Sequence, residues 1–514
     1  MSCRMSGVIE IYGPRKRIRK AKEEGVATRR FFHSFFFKTL LLLSLTIFSE
    51  AAAEAAPSRA ASARRTEGER REFASFIDGF FAGVQRDWRI PGMAFVAVGN
   101  GEVIYLKGYG LADIESGRPV LPEETLFRVG SVSTVVTAAA LLQLAEKGRV
   151  SLDEDVNVYL RRWRLPSSFK DAVTLRCLLT HTGGFDGKKF EIEAPTSADE
   201  KNYASRLPKI MPARYAPPGV YYGYSSMGYS LIGAIIERYS RLNFASAIER
   251  HIFQPLDMKN STFSPTNEQA KRLATGYDDK GHAVGYSYHY DMPAVAMSAT
   301  ASDMGRLMLA QLGEGALGRS RILPAMYSNS MLRRHFSPHP MIEGTGLAYR
   351  EKFAGGLRTL QQSGNMPGYS SFLMLIPEKN FGLFLAANTS NIDFSNDLAE
   401  TVIGRLFPLS RDTPANAAPG GRAIPKDVEG FYAHNRIARH SAEKVMNLFS
   451  DQLRVEASVE YVTVSHTSGG IPASRWIPST GGVSPDIGAV DLFRRMDENG
   501  IHGDEYAFFQ RDDA

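Results

Sequence analysis

The residues of this chain best suited to do chemistry lie in Phe127-Arg128-Val129-Gly130-Ser131-Val132-Ser133-Thr134. An apolar segment there ends in a serine, and strong helix formers then run from Thr137 to Lys147, where Gly148 is a natural stop. A serine at the mouth of such a helix has its oxygen near unpaired N–H groups and the positive end of the dipole. That setting suits a nucleophile whose adduct carries an oxyanion. Taken alone, Ser131 is no more than a helix cap, since serine is common at that position. Other chemistries lack their residues. The sequence has no Gly-x-Ser-x-Gly elbow, no spaced His/Cys set for a metal and no glycine-rich phosphate loop. No cofactor is expected.

The elements that must position Ser131 can be read on both sides of it. Phe76 to Asp87 has helical spacing of apolar residues, and Gly92 to Val98 reads as a strand. Asn100-Gly101 separates that strand from Val103 to Gly108, a good hairpin signal. After the serine helix, Ser151 to Val156 is a polar turn into another short helix, and Leu175 to Thr180 leads to His181-Thr182-Gly183-Gly184-Phe185. Asp186 to Pro218 is long and polar with little periodicity, a candidate lid over a cleft. Gly219 to Tyr229 precedes a helix from Ser230 to Tyr239, and further helices are expected at Phe244 to Ile252 and Ser302 to Leu312, the latter with Ser302 as cap. Thr359 to Gly364, Ser371 to Ile376, Gly382 to Ala387 and a helix from about Ser395 to Leu406 close the region. Helices between an early and a late set of strands predict an α+β domain whose sheet draws on both ends of the chain.

Of the net charge of +6, residues 1–56 supply +5, with ten Lys/Arg against five Asp/Glu. The remainder is nearly neutral, and a nucleic-acid partner is excluded on that ground. In this leader, Arg29-Arg30 precedes the apolar run Phe31 to Phe48 and the small-residue exit Ala51 to Pro57. That order is the pattern of an export signal cut between Ala53 and Pro57, and it predicts a periplasmic or extracellular protein. An uncleaved segment anchoring the chain to a membrane is the alternative. The 25 residues before Val26 are long for such a signal, so Val26 competes with Met1 as the start. Cys177 is the only cysteine beyond the leader, which precludes an internal disulfide, and it reads as a buried small apolar residue. Residues 411–425 hold Pro414, Pro419, Gly420-Gly421 and Pro425 and read as a linker. Alternating runs at Leu453 to Ala457 and Glu460 to Val464 predict a small antiparallel β-domain over 426–514.

Several stretches together resemble the β-lactamase-related serine hydrolases: class C β-lactamases, penicillin-binding proteins, D-aminopeptidases and related esterases. They are Phe127 to Ser131, Leu178 to Phe185, Pro218-Gly219 with Tyr224-Ser225, Pro255 to Met258 with Thr262-Phe263, Thr300 to Met304, and Pro367 to Ser371 with Pro377. All fall in the family's order within residues 74–410. The resemblance implies a β-lactamase/transpeptidase-like fold, an antiparallel sheet flanked by helices plus a helical subdomain, with the serine in the groove between them. It also implies a β-barrel-like appendage after the linker.

The resemblance assigns Ser131 as nucleophile and Tyr224 as its companion. It then expects a lysine three residues after the serine, an asparagine two residues after the tyrosine, and a cation opening a late triplet. Three residues is about one helical turn, so that lysine amine would stand beside the serine oxygen and take its proton. Here those positions hold Thr134, Ser226 and Gln362, the last in Gln362-Ser363-Gly364. A threonine hydroxyl is not basic near neutral pH. A tyrosine with a reference pKa of about 10 is ionised in about one molecule in a thousand at pH 7, a deficit of roughly 4 kcal/mol. The oxyanion hole, which by resemblance uses main-chain N–H groups of Ser131 and of Asn365 after Gly364, would survive.

The sequence therefore predicts an exported protein impaired in acyl transfer, a binding or regulatory relative for cell-wall-type peptides or other small ligands with an acyl or carboxylate group. The alternatives are a working D-aminopeptidase, carboxypeptidase or esterase acting through Ser131, and an envelope scaffold whose C-terminal domain makes the contacts. Rescue of the base would have to come from His181, expected to be a hydrogen-bonded structural residue, or from Lys188 and Lys189 in the lid-like stretch. Tyr221, Tyr222 and Tyr224 read equally as a cleft wall or as core packing.

Overall fold

The computed structural model describes residues 67–407, apart from 161–162, 189–190, 339–342, 393 and 395–396, together with the strand Ile9–Tyr12 and eight strands between 430 and 510. The central element is a seven-stranded sheet of β1 (Gly92–Gly99), β2 (Glu102–Asp113), β3 (Arg118–Pro119), β4 (Arg350–Ala354), β5 (Leu357–Met366), β6 (Tyr369–Ile376) and β7 (Phe381–Ala387). Its order is β4-β5-β6-β7-β1-β2-β3, and every pairing is antiparallel. Both ends of the domain thus meet where β7 pairs with β1, as the early and late strands predict.

The runs Gly92–Gly99, Tyr369–Ile376 and Phe381–Ala387 are buried at every position, because the sheet is covered on both faces. One set of alternating residues, Met93, Phe95, Met374 and Leu385 among them, packs on α1 (Glu67–Trp88) and α5 (Asp397–Leu406). The other set, including Val96, Leu373 and Phe384, joins the helical core built on α2 (Ser133–Glu146), α3 (Ser226–Ser240) and α4 (Ala301–Leu312). Twelve of the fourteen residues of α2 are buried, the expected place for a helix apolar all round. Asn100 and Gly101 both have positive φ, 54° and 83°, and make the tight β1–β2 turn.

Some expectations shift. Helix α3 begins four residues before Ser230, because Ser225 caps it by accepting from Gly228 N. Helix α4 is capped by Thr300, which accepts from Asp303 N; Ser302 lies inside the helix. The stretch over 186–218 is more ordered than its composition suggests. It holds a short strand, Glu193–Ala194, and helices Ser197–Lys201 and Tyr203–Ile210, whose buried Tyr203, Leu207 and Ile210 recur at helical spacing. Cys177 is half-buried and not core, with its sulfur 3.3 Å from Thr174 Oγ1.

Toward the C-terminus, six of the described strands form a closed barrel with Ile9–Tyr12, which pairs antiparallel with Gly430–His434 and parallel with His502–Gln510. Ile9-Glu-Ile-Tyr12 lies in the segment whose composition reads as a leader, yet its period-two alternation suits a strand. The linker at 411–425 and the apolar run Phe31 to Phe48 fall outside the described residues. Among the described residues no helix is long and apolar enough to cross a membrane.

Candidate active site

Ser131 sits in a single 3-10 turn, Gly130–Val132, that leads into α2, and it is not the cap of that helix. Gly130 has φ +51°, and a Cβ there would come within 2.8 Å of Asn365 N. A Cβ on Gly364 would approach Val129 O to 2.0 Å. The two glycines let the serine turn and the end of β5 run in contact, which brings the backbones of Ser131 and Asn365 to one place. Ser371 on β6 donates through Oγ to Val129 O at 2.7 Å, Ser133 Oγ donates to Gly130 O at 2.6 Å, and Met297 N donates to Ser133 Oγ at 3.1 Å. The turn is held from three sides.

Tyr224 meets the serine from the loop before α3. Its hydroxyl donates to Ser131 Oγ at 2.5 Å, and among the described residues this is the hydrogen bond Ser131 Oγ makes. His181 lies behind Tyr224, with ring centroids 4.4 Å apart and planes 33° apart. Its Nδ1 accepts from Ser225 N at 3.1 Å and its carbonyl accepts from Gly223 N at 2.8 Å, so the histidine anchors the tyrosine loop from both its side chain and its backbone. Tyr222 stands edge-on to His181 at 5.9 Å, and the Arg350 guanidinium lies over the Tyr222 ring at 5.1 Å. Beneath them Tyr229 is fully buried and donates to Leu179 O at 2.9 Å; desolvation pushes its phenol well above the ordinary tyrosine range.

Among the described residues, none of the three substituted motif positions is hydrogen-bonded to Ser131 Oγ. Thr134 is fully buried and donates through Oγ1 to the Ser131 carbonyl at 2.7 Å, a bond back across one helical turn. Gln362, 8% exposed, donates through Nε2 to the same carbonyl at 3.0 Å. Ser226 opens α3 as its first residue. Asn365 ties its side chain to Asn391, donating to Oδ1 at 3.3 Å and accepting from the Asn391 N–H at 3.2 Å. Lys188 pairs with Glu191 at 2.7 Å, and Lys189 lies outside the described residues. The double hold on the Ser131 carbonyl left no mark in the sequence, since it joins positions 231 residues apart. A separate groove between α1 and α5, lined by Phe80, Val84, Trp88, Phe394 and Leu398, lies across the sheet from Ser131 and offers Asp87 as its titratable group.

Chemically, the arrangement is a serine hydroxyl at the mouth of a helix, beside main-chain N–H groups, facing a phenol that donates to it. The fold that carries this site recurs in solved structures. A class C beta-lactamase superposes with a TM-score of 0.57 at 21% identity, covering 66% of this chain and all of that one. A D-alanine carboxypeptidase AmpC from Burkholderia cenocepacia gives 0.55 at 22%, covering 65% and 99%. An octameric penicillin-binding protein homologue from Pyrococcus abyssi gives 0.54 at 20%, covering 83% and 97%. Among curated proteins, Protein flp of Staphylococcus aureus strain MW2 is 27% identical over 318 residues, and Beta-lactamase-like protein 4 of Dictyostelium discoideum is 26% identical over 345. These matches take in 59% and 62% of this chain and span 60% of the length of each relative. The Beta-lactamase family model matches residues 77–406, more than half of the chain and the whole of the region that builds the Ser131 site, and the chain belongs to that family.

Proposed function

We propose that this protein is an exported relative of the serine hydrolases that binds cell-wall-type peptides, or small ligands with an acyl or carboxylate group, and transfers acyl groups slowly if at all. One observation carries this reading: Ser131 Oγ is met by a phenol that donates to it, while the two polar groups at the lysine-type motif positions both donate to the Ser131 carbonyl. To become a nucleophile the serine must lose its proton to a base. Tyr224 as a neutral phenol is too weak a base to take that proton, and conversion to phenolate at pH 7 costs roughly 4 kcal/mol from the reference tyrosine pKa. His181 uses Nδ1 to accept from Ser225 N, which fits an anchoring role and not a catalytic one. The backbone approach of Gly130 to Asn365 supports retention of an oxyanion-type pocket, so ligand binding outlasts catalysis. Arg350 over Tyr222 gives that cleft a cation for a ligand carboxylate.

The test is labelling with a fluorescent penicillin, together with equilibrium binding of a D-alanyl peptide. Reversible binding without a covalent adduct on Ser131 is the expected result, and rapid acylation of Ser131 overturns it. The 2.5 Å contact between Tyr224 and Ser131 favours a second reading, an active D-aminopeptidase, carboxypeptidase or esterase using that pair. Turnover of D-amino-acid esters that disappears with Ser131→Ala would establish it.

A further inference from the structure

A second polar cluster lies in the extended segment Ser287-Tyr288-His289-Tyr290-Asp291. Alternate residues of an extended chain share a face, which lines up Ser287, His289 and Asp291. The segment is fixed by pairing of Tyr288–His289 with Glu193–Ala194 and by donation from Tyr290 N to Ile192 O at 2.7 Å. Ser287 Oγ lies 2.9 Å from His289 Nε2, and His289 Nδ1 lies 3.6 Å from Asp291 Oδ1. His289 and Asp291 are 6% and 3% exposed, while Ser287 is half-buried and the most exposed of the three.

Arg128 ends at the same hydroxyl. Its backbone runs into the Ser131 turn, but its side chain turns away and Nη1 donates to Ser287 Oγ at 3.0 Å. Although Arg128 is 1% exposed, its Nε and Nη2 have no hydrogen-bond partner among the described residues, and neither does Asp291 Oδ1. A buried charged donor left unpaired is costly, so two such N–H groups beside a histidine-bonded hydroxyl are suited to receive a ligand oxygen. The nearby carboxylate of Glu200 is engaged as acceptor of His289 N at 3.0 Å. Tyr286 lies over the guanidinium at 4.3 Å and covers one of its faces.

We propose that Ser287, His289 and Asp291, with Arg128, form a second acyl-transfer centre that hydrolyses small carboxylic esters independently of Ser131. The hydrogen bonds point one way. Arg128 donates to Ser287 Oγ, which leaves the Ser287 proton for His289 Nε2; in that tautomer the hydrogen on His289 Nδ1 lies on the side of Asp291 Oδ1, 3.6 Å away and not hydrogen-bonded to it. Ser287 Oγ bonds to the ester carbonyl carbon as its proton passes to His289 Nε2, and the carbonyl electron pair moves onto oxygen, where the Arg128 Nε and Nη2 hydrogens receive it. The C–O bond to the alcohol then breaks, and the alcohol leaves with the proton from His289. Water repeats the sequence on the acyl-serine, giving the carboxylic acid and free Ser287. The 3.6 Å separation of His289 from Asp291 is loose for a hydrogen bond, as unliganded catalytic contacts often are.

The experiment uses the full chain carrying Ser131→Ala, treated with a fluorophosphonate, with the adduct located by peptide mass spectrometry. An adduct on Ser287 is expected, and the p-nitrophenyl acetate hydrolysis that remains in this background is expected to disappear when Ser287→Ala is added. Adding His289→Gln instead should slow both labelling and hydrolysis by about 100-fold at an unchanged unfolding temperature. If that variant fails to fold, Asp291→Asn is the substitute, expected to slow labelling about tenfold or more. A folded Ser131→Ala protein with no adduct on Ser287, or labelling indifferent to both His289→Gln and Asp291→Asn, overturns the proposal. An adduct on Ser131 alone in the unsubstituted protein refutes this centre and equally the slow-acylation reading of the first site, whereas an adduct on Ser287 alone supports both.

Discussion

Thr134→Lys tests the missing base directly, because it places an amine one turn from Ser131 in a site that the rest of the fold still builds. The threonine is fully buried, so a lysine there is drawn toward its neutral form by desolvation, the condition under which an amine accepts a proton near pH 7. Relative to a phenol with one part in a thousand ionised, such a base can recover up to about 10³ in rate, and positioned general bases supply 10²–10⁴. Two terms work against it. A larger side chain in a packed helix costs about 1–3 kcal/mol of stability, and the Ser131 carbonyl loses one of its two donors, keeping Gln362 at 3.0 Å. The net expectation is an acylation rate by fluorescent penicillin about 10² higher than in the native protein, on the peptide containing Ser131, with an unfolding temperature lowered by a few degrees. Ser131→Ala must abolish that signal in the Thr134→Lys background. If a folded Thr134→Lys protein acylates no faster than the native one, absence of the amine is not what limits the site.

Tyr224→Phe removes the donor to Ser131 Oγ at 2.5 Å; in the native background Ser131 acylation should change less than about tenfold, and in the Thr134→Lys background it should fall by more than that, about 10² if tyrosine then relays protons. Gly364→Ala puts a methyl 2.0 Å from Val129 O and 2.5 Å from Ser371 Oγ; calorimetry should show a loss of about 1–3 kcal/mol together with weaker ligand binding. Glu237, whose carboxyl accepts from Phe244 N at 2.8 Å, is pushed by burial up to about 7. Its folded form holds the proton more tightly than the unfolded chain, so stability is greatest below the ordinary glutamate range and declines as pH rises from about 4.5 through 7, by about 2–3 kcal/mol. In Glu237→Gln that part of the decline should vanish from denaturation curves taken across pH 5 to 8, and an unaltered slope would show that the group is not the cause.

The parts of the fold legible in the sequence are those set by neighbours along the chain. Asn100-Gly101 required positive φ at both positions and has it, and the alanine-rich run after Ser133 had to be a helix wherever it packed. Between 186 and 218 the polar composition masked two helices, because their buried Tyr203 and Leu207 are few among many charged residues. Ser302 lost the cap of α4 to Thr300, a choice between two hydroxyl residues two positions apart that depends on backbone φ,ψ and not on residue type. The order of motifs located Ser131, Tyr224 and Gln362 in the sequence, but not what Gln362 touches. Nor did the sequence say that Arg128, three residues before Ser131, ends at Ser287, 159 residues on. The Ser287, His289 and Asp291 alternation did not stand out in the sequence, because it is a short pattern whose chemical meaning arises only where the arginine arrives.

Thr134 and Gln362 are more than a loss of charge. A lysine at either position would carry an ammonium or amine toward the reacting atoms, and its removal alone would leave buried space and an unpaired carbonyl. Instead both side chains converge on the carbonyl of Ser131, which thereby accepts at 2.7 Å and 3.0 Å and is fully engaged. Two donors on one peptide oxygen, with Ser371 and Ser133 holding the carbonyls of Val129 and Gly130, fix three successive peptide units of the serine turn. On the function proposed above, a turn so held keeps the main-chain N–H groups aimed at a ligand oxygen without a catalytic amine to order it. The chemistry that binds an acyl group and the chemistry that attacks it are thus separable at this site, because the first is built from backbone fixed by neutral hydrogen bonds and the second from a base that the same positions no longer provide.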